Sequence, residues 1–261
     1  MPTSASESLY DYPVYYDVVF GSDWRAEFKF LEGVFERHGR RPTRSLFEPA
    51  CGTGRLLVPL AKAGYRVAGN DLNERAVAYC NARLARRGFK PTALVGDMAD
   101  FRLAKPVDAA FNTINSFRHL ATESRAEAHL RCMAAALKPR GLYVLGLHLT
   151  PTRGEPISEE SWSARRGHLA VNSRMWTVER DTRRRAERVI MQFDIYTPRR
   201  QFRLSEDICF RTYSAAQFRR LLERAAVFDV AETYDFAYDL DTPIEVGPET
   251  EDVVWVLRKR G

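Results

Sequence analysis

The sequence has few cysteines, little lysine and no long apolar run. Its four cysteines, Cys51, Cys80, Cys132 and Cys209, lie far apart and form no CxxC pair. A disulfide framework and a zinc site are therefore disfavoured, and we expect no metal. The longest apolar stretch, 141–149, has the length of a strand and falls far short of the roughly 20 residues that a membrane span needs. The chain is thus expected to make no use of a membrane.

The charge balance is only mildly basic. The 261 residues carry 40 Lys and Arg, six of them Lys, against 34 Asp and Glu, for a formal net charge of +6. This excess permits an anionic partner without implying one. The apolar share of 45% is ordinary for a globular protein. The opening MPTSASESLYDY has neither the basic head nor the apolar core of a secretory signal, so we expect a cytoplasmic protein.

Short apolar runs alternate with helical patterns up to residue 150. This alternation predicts a parallel sheet with helices on both faces. After residue 150 three stretches alternate polar and apolar residues, which predicts antiparallel strands, and a helix capped by Ser214 and two strands close the chain. Before the sheet, residues 1–8 have the composition of a frayed terminus and 23–38 the spacing of a helix. The parallel strands are predicted at 45–47, 65–69, 92–95, 107–111 and 142–147, and the antiparallel ones at 168–178, 187–196 and 203–211.

A glycine turn, FEPACGTGRLL, follows the first run. Gly52 and Gly54 permit a sharp turn and the close approach of a ligand, and the next helix would direct its free N–H groups at that ligand. A plain tight turn fits the same two glycines. Asp71 closes the second run, where a carboxylate can accept hydrogen bonds from ribose hydroxyls, and Asp97 and Asn112 close the third and fourth. The glycine turn and these three polar residues lie at four successive strand ends, which indicates a nucleoside site.

The turn lacks the features of two common nucleotide sites. Leu57 stands where a dinucleotide fingerprint has its third glycine, and Arg55-Leu56 stands where a phosphate loop has Lys and Ser or Thr. Glu48 argues against a pyrophosphate nearby. A nicotinamide oxidoreductase is therefore a distant alternative.

The motif EPACGTG, with Asp71, Asp97-Met98 and the segment NSFRHL, resembles the class I S-adenosylmethionine-dependent methyltransferases. It is closest to small-molecule N-methyltransferases of the glycine N-methyltransferase and amino-sugar dimethyltransferase kind. The resemblance covers roughly residues 10–150 well and the remainder in outline. It implies an α/β fold with a Rossmann-like, seven-stranded, mostly parallel sheet, helices on both faces and an antiparallel β insertion after strand 5. We divide the chain into an N-terminal helical cap (1–42), a cofactor-binding core (43–150), an insertion that forms a substrate lid (151–211) and a C-terminal part that completes the core sheet (212–261).

The resemblance implies S-adenosylmethionine as the cofactor and a role for each matching residue. Glu48 supports the glycine loop, Asp71 binds the ribose and Tyr16 closes over the methionyl end. Arg25 is a candidate clamp for the cofactor carboxylate, although a solvated helix face explains it as well. His148 stands where glycine-methylating relatives carry an Arg that grips the substrate carboxylate, so glycine is a doubtful substrate. Of the remaining residues, Ala50, Cys51, Gly52 and Gly54 face the methionine part, Leu72, Asp97 and Met98 surround the adenine, and Thr113 and Asn115 line the cofactor near its sulfonium.

The expected reaction is methyl transfer to a nitrogen, or else an oxygen, of a small molecule. His119 is the candidate base, because imidazole can take a proton near neutral pH; a structural histidine is an equal alternative. A methyltransferase acting on RNA or protein, and a cofactor-binding scaffold without turnover, remain alternatives. The cluster 183–185 is predicted to be a solvated hairpin turn, so nucleic acid is a disfavoured partner. The sequence leaves the oligomeric state open, with a homodimer among the options.

Overall fold

The computed structural model describes residues 8–39 and 42–261. Most of the frayed terminus predicted at 1–8, and parts of the cap predicted at 1–42, lie outside these ranges.

Two sheets form the framework, one of seven strands and one of four. The strands are β1 (Ser45–Pro49), β2 (Arg66–Asp71), β3 (Ala93–Val95), β4 (Val107–Asn112), β5 (Leu137–His148), β6 (Glu159–Arg166), β7 (Leu169–Asp181), β8 (Ala186–Tyr196), β9 (Gln201–Arg211), β10 (Phe228–Tyr234) and β11 (Asp252–Lys259). The helices are α1 (Pro13–Phe20), α2 (Arg25–His38), α3 (Leu57–Lys62), α4 (Glu74–Ala85), α5 (Glu123–Ala136) and α6 (Ala215–Ala225).

The seven-stranded sheet has the order β10-β11-β5-β4-β1-β2-β3. Strand β11 runs antiparallel to β5 and β10, while β1 to β5 pair in parallel. Both faces are covered, because Leu46 of β1 packs with α2, α3 and α4, whereas Phe47 packs with α5 and α6. The predicted fold class is confirmed, and the carboxyl ends of five parallel strands meet at one edge.

The insertion forms an antiparallel sheet of order β6-β7-β8-β9. The three predicted strands are confirmed as β7, β8 and β9, and Arg183 and Arg184 lie in the predicted turn of the β7–β8 hairpin. Strand β6 is not among the strands predicted from the sequence. It is an edge strand whose side chains are mostly exposed, with only Trp162 and Ala164 packed inward, so its apolar signal is weak.

The N-terminal part contains a helix that the sequence did not predict. Helix α1 follows a short 3-10 turn, Leu9–Asp11, and packs on the inner face of the insertion sheet. Val18 and Val19 contact the same cluster as Phe193 and Ile208. Aromatic and apolar residues surround much of this helix, so no helical period is visible in the sequence.

Within the two described ranges, no helix has the length and apolar character needed to cross a membrane.

A buried histidine links α5 to the edge where the parallel strands end. His129 is fully buried; its Nδ1 lies 2.8 Å from the Met98 carbonyl oxygen and its Nε2 lies 2.8 Å from the Tyr143 hydroxyl. Burial lowers the pKa of His129 to about 4, against the opposing effect of the Met98 carbonyl and Asp97. The ring is therefore neutral in the folded protein at pH 7.

This low pKa predicts an acid-sensitive fold. Between pH 6.5 and 4 the unfolded chain binds a proton at His129 that the folded chain excludes, so stability falls as the pH falls. The free energy of unfolding falls by about 3 kcal/mol in total, at 1.36 kcal/mol for each unit by which the pKa is lowered. Urea titrations across this range should show a smaller loss for His129→Gln, which can still donate to Met98 and accept from Tyr143. The exposed His168 provides the control, since His168→Gln should retain the parent's pH dependence.

Candidate functional site

The glycine loop turns through left-handed backbone at alternate positions. Ala50, Gly52 and Gly54 have φ values of 50°, 50° and 71°. The Gly52 N–H donates to Asp71 Oδ2 at 2.8 Å, which ties the loop to the end of β2. The Gly52 N–H is therefore not free for a ligand, because Asp71 already accepts that hydrogen.

The two glycines of the loop do different things. A Cβ at Gly54 would stand 2.4 Å from Cys80 Sγ, so this glycine permits the loop to pack closely on α4. A Cβ at Gly52 would find Asp71 Oδ2 nearest, at 4.0 Å. Only Gly52 therefore opens onto free space, and that space is a cradle that any other side chain would begin to fill.

Cys51 lies in the core under the loop. Its thiol is buried and packs near Cys80 and Gly69. A hydrogen bond with Cys80, together with burial, raises the pKa of the Cys51 thiol well above its ordinary value. The side chain that was expected to face a cofactor thus points into the α4 side of the sheet.

Asp71 lies beside the cradle with room to accept further hydrogen bonds. Its Oδ2 accepts from Gly52 N and its Oδ1 from Asn73 N at 2.9 Å, so each oxygen keeps one lone pair. Burial raises the pKa of Asp71, although these two N–H groups favour the charged form. The side chain of the neighbouring Leu72 is 70% exposed.

Asp97 and Met98 follow β3 at the same edge. Asp97 Oδ1 accepts from Ala99 N at 2.8 Å and Oδ2 pairs with Arg125. Burial alone would raise the pKa of Asp97, but these two partners outweigh it and the pKa is lowered. Asp97 therefore mainly shapes the turn that carries Met98, which is nearly buried and is fixed through its carbonyl by His129.

The end of β4 is joined to the end of β5 by Asn115. This residue has a left-handed backbone, with φ 52°, and its Oδ1 accepts from His148 N at 3.0 Å. His148 Nδ1 in turn lies 2.6 Å from Asp252 Oδ1, and its ring meets Phe236 edge-on. His148 thus stands at the predicted place, but Asp252 already occupies one of its ring nitrogens.

Three buried oxygens at the ends of β1 and β4 have no hydrogen-bond partner. They are Glu48 Oε2, Asn112 Oδ1 and Thr113 Oγ1. Burial raises the pKa of Glu48 well above its usual value. Buried polar atoms are rarely left unpaired in native proteins. These atoms and the Gly52 cradle fit a polar nucleoside that carries its own donors, which is the kind of group that the motifs imply.

The glycine loop carries its own arginine, Arg55, whereas Arg25 is not brought to this edge. Arg25 is exposed at the start of α2, with its guanidinium 5.2 Å from the Trp24 ring centre. Arg55 is buried and forms a two-pronged ion pair with Glu27, while its charge also acts on Glu48. The clamp expected of Arg25 therefore finds no support in its position, and the Arg55 guanidinium is already paired with Glu27.

An aromatic wall from the N-terminal part faces this edge. Tyr16 packs on Tyr10 and Phe20, with ring centres 5.6 and 4.4 Å away, and burial followed by the Asp71 charge raises the pKa of its phenol. The Tyr10 hydroxyl lies 3.4 Å from His119 Nε2. Tyr10 was not predicted from the sequence, although it stands in a tyrosine-rich stretch. The structure brings it together with the predicted residues Tyr16 and His119.

His119 is accessible to solvent, and its ring packs against the rings of Tyr10 and Phe210. The Phe210 ring centre is 4.9 Å from the His119 ring centre. Surrounding protein atoms limit hydration of the ring, and with the Arg118 guanidinium they lower the pKa of His119 to about 4. The imidazole is therefore neutral at physiological pH and can accept a hydrogen bond.

A small pocket opens between the end of β5 and the insertion sheet. It has a cavity volume of roughly 50 Å³ and is partly open to solvent. His148 and Arg118 line it from the side of the main sheet, and Trp176 and Phe210 line it from the insertion sheet. Its lining does not include His119, whose ring packs against Phe210.

Comparison with known proteins identifies the core. Residues 47–141 match a family model described as a methyltransferase domain. This part of the chain, called the methyltransferase domain below, is similar to members of that family. The predicted resemblance to class I methyltransferases is confirmed, and the family match covers the glycine loop, Asp71 and Asp97.

Relatives of the methyltransferase domain include a sugar-modifying enzyme. Over 135 residues the chain is 34% identical to the dTDP-3-amino-3,6-dideoxy-alpha-D-glucopyranose N,N-dimethyltransferase of Streptomyces fradiae, covering 50% of each. The chain spans about half the length of the relatives that it matches in sequence.

Solved structures extend the likeness of fold beyond the methyltransferase domain. An S-adenosylmethionine-dependent methyltransferase from Clostridium acetobutylicum superposes with a TM-score of 0.77 at 15% identity, over 97% of this chain and 96% of that one. A sugar N-methyltransferase from Streptoalloteichus superposes with a TM-score of 0.71 at 21% identity, over 100% and 96%. The insertion sheet and the N-terminal part therefore belong to the shared fold.

The Gly52 cradle predicts a specific loss of ligand binding. Gly52→Ala places a methyl group in the open space beside Asp71, and we expect at least tenfold weaker binding of S-adenosylhomocysteine by titration calorimetry, equivalent to about 1.4 kcal/mol. Gly88→Ala is the control, because Gly88 also has a positive φ, 79°, with no atom within 4 Å of its added Cβ. Both variants carry the same kind of backbone strain, so equal affinities for the two would contradict the assignment.

Proposed function

We propose that this protein transfers a methyl group from S-adenosylmethionine to an amine nitrogen of a small molecule. The observation that carries the proposal is the open cradle at Gly52 beside the Asp71 carboxylate, at the strand-end edge of a methyltransferase domain. The relatives named above, which act on sugar nitrogens by their titles, support the choice of acceptor.

The described residues fit the cofactor part by part. Asp71 keeps free lone pairs for ribose hydroxyls, and Leu72 and Met98 offer apolar surface for a purine. Thr113 and Glu48 hold the unpaired oxygens for the amino-acid end. When bound, S-adenosylmethionine supplies a methyl group that its sulfonium charge has already activated. The protein must then position the acceptor and exclude water, which in well-oriented systems contributes about 7–11 kcal/mol.

His119 orients the acceptor in this proposal. A ring with a pKa of about 4 is too weak a base to deprotonate a hydroxyl or an ammonium efficiently. It can accept a hydrogen bond from a neutral amine and so direct the nitrogen lone pair, while the Tyr10 hydroxyl supports the ring from its other side. This chemistry favours nitrogen over oxygen, since a neutral amine needs no strong base.

The acceptor pocket is the one between His148 and the insertion sheet. Its walls combine aromatic rings with both signs of charge, including Trp176, Arg118 and Glu251, which suits a polar small molecule. The Arg183–Arg185 cluster gives little support to an RNA substrate, because Arg185 already pairs with Glu123 and lies over the Tyr213 ring. Nucleotide-linked amino sugars are the first acceptors to assay.

Thermal unfolding tests the cofactor. At a hundred times its dissociation constant a ligand stabilises the fold by about 2.7 kcal/mol, which corresponds to roughly 5 to 10 °C for a chain of this size. We expect this shift with S-adenosylmethionine and S-adenosylhomocysteine and none with NAD. A shift with NAD alone, or with none of the three, would contradict the proposal. A shift without turnover on any amine, RNA or protein substrate would favour the scaffold alternative.

The role of His119 predicts a loss confined to turnover. His119→Ala should lower kcat on an amine acceptor by about tenfold, the cost of one lost hydrogen bond, while the affinity for S-adenosylhomocysteine stays within twofold, because the ring contacts the acceptor side. The exposed His168 is the matched control, and His168→Ala should change neither value. Equal kcat for the parent and His119→Ala would remove this histidine from the reaction.

A further inference from the structure

Asp17, in helix α1, is a buried carboxylate with no part in the site described above. Its side chain is 1% exposed. Oδ1 accepts from Arg83 Nη1 at 2.6 Å and from Thr53 Oγ1 at 3.2 Å, and Oδ2 accepts from Arg166 Nη1 at 2.7 Å and from Tyr79 OH at 3.2 Å. Both oxygens are therefore satisfied within the protein, and Asp17 does not need a ligand to complete its bonding.

The four donors come from three different parts of the chain. Thr53 lies in the glycine loop between its two glycines, Arg83 and Tyr79 lie on α4, and Arg166 ends β6 of the insertion. Both guanidiniums make a second contact that closes the network. Arg83 Nη1 also donates to the Thr53 carbonyl at 2.9 Å, and Arg166 Nη2 donates to the Asp17 carbonyl at 3.0 Å.

One negative charge thus holds two positive charges together. Arg83 is mostly buried, so without the Asp17 carboxylate its guanidinium would keep its desolvation penalty and lose its partner. Removing the charge of Asp17 would leave Arg83 and Arg166 facing each other across the junction. The contacts of α1 with the loop and with the insertion would loosen at the same time.

Tyr16, the residue before Asp17, belongs to the aromatic wall at the strand-end edge. We propose that Asp17 is a positioning residue that fixes this wall and the glycine loop relative to each other. Cofactor affinity then depends on a carboxylate whose own hydrogen bonds are all made within the protein. This inference rests on the proposed function, because it assumes that the edge binds S-adenosylmethionine.

The main test compares Asp17→Asn with Asp108→Asn. Asp108 is also a carboxylate with several donors, namely Arg44 N, Ser45 N, Ser45 Oγ and Lys138 Nζ, but it lies at the amino end of the strands. For Asp17→Asn we expect an S-adenosylhomocysteine affinity about tenfold weaker by calorimetry. For Asp108→Asn the affinity should stay within twofold of the parent. An unchanged affinity in folded Asp17→Asn protein would overturn the proposal.

A second variant keeps the test decisive if Asp17→Asn does not fold. Arg166 is half-exposed, so Arg166→Met removes one arm of the network at a surface position and leaves Asp17 paired with Arg83. We expect the affinity to fall by about threefold or more, and Arg166→Lys to recover part of it. An Arg166→Met protein that binds as tightly as the parent would count against the proposal.

Hydrogen exchange without ligand separates this inference from the proposed function. If Asp17 holds the junction, amides of 50–56 and 13–20 should exchange faster in Asp17→Asn or Arg166→Met and remain at parental rates in Asp108→Asn. If the parent binds no S-adenosylhomocysteine, the proposed function fails and the exchange comparison alone decides whether Asp17 couples the two segments. Parental exchange rates in both junction variants would overturn that coupling.

Discussion

Parallel pairing places the carboxyl ends of neighbouring strands at one edge of a sheet, and the glycine loop, Asp71 and Asn112 come together through that constraint. Strand β1 is buried along its whole length, so it can lie only in the middle of a sheet covered on both faces. The chain must then turn sharply where β1 ends, and it does so at Ala50 and Gly52 with left-handed backbone. Asp71 and Asn112, at the ends of the adjacent strands, lie on either side of that turn.

Buried ion pairs attach the surrounding elements to this edge. Glu27 joins α2 to Arg55 of the loop, Asp17 joins α1 to α4 and β6, and Glu187 of β8 receives Arg118 from the segment after β4. Charges buried in this way add little net stability, because their desolvation offsets most of their attraction. Their directional hydrogen bonds do limit how each element can be placed, which suits a site that needs fixed geometry.

The parts of the fold that local chemistry determines could be predicted from the sequence. Apolar periodicity identified the parallel strands, and the polar residues that end them lie where the motifs put them. Partners brought together only by the tertiary fold could not be predicted. Gly54 packs closely against Cys80 on α4, and Arg55 forms an ion pair with Glu27 on α2. Neither contact leaves a pattern in the sequence near these residues. Helix α1 was not predicted because it is apolar on most of its faces and so shows no helical period. Strand β6 was not predicted because most of its side chains are exposed and polar.

The shared core of α1 and the insertion sheet has a consequence for the order of folding during synthesis. Leu9, Val18 and Val19 pack against Phe193 and Ile208, which lie far along the chain. The first helix leaves the ribosome early but cannot dock until β8 and β9 have been made, whereas the parallel strands up to β5 are available sooner. Contacts of such long sequence separation form late. Until β8 and β9 have been made, the nascent chain therefore exposes these apolar side chains, and the wall over the strand-end edge can assemble only after them.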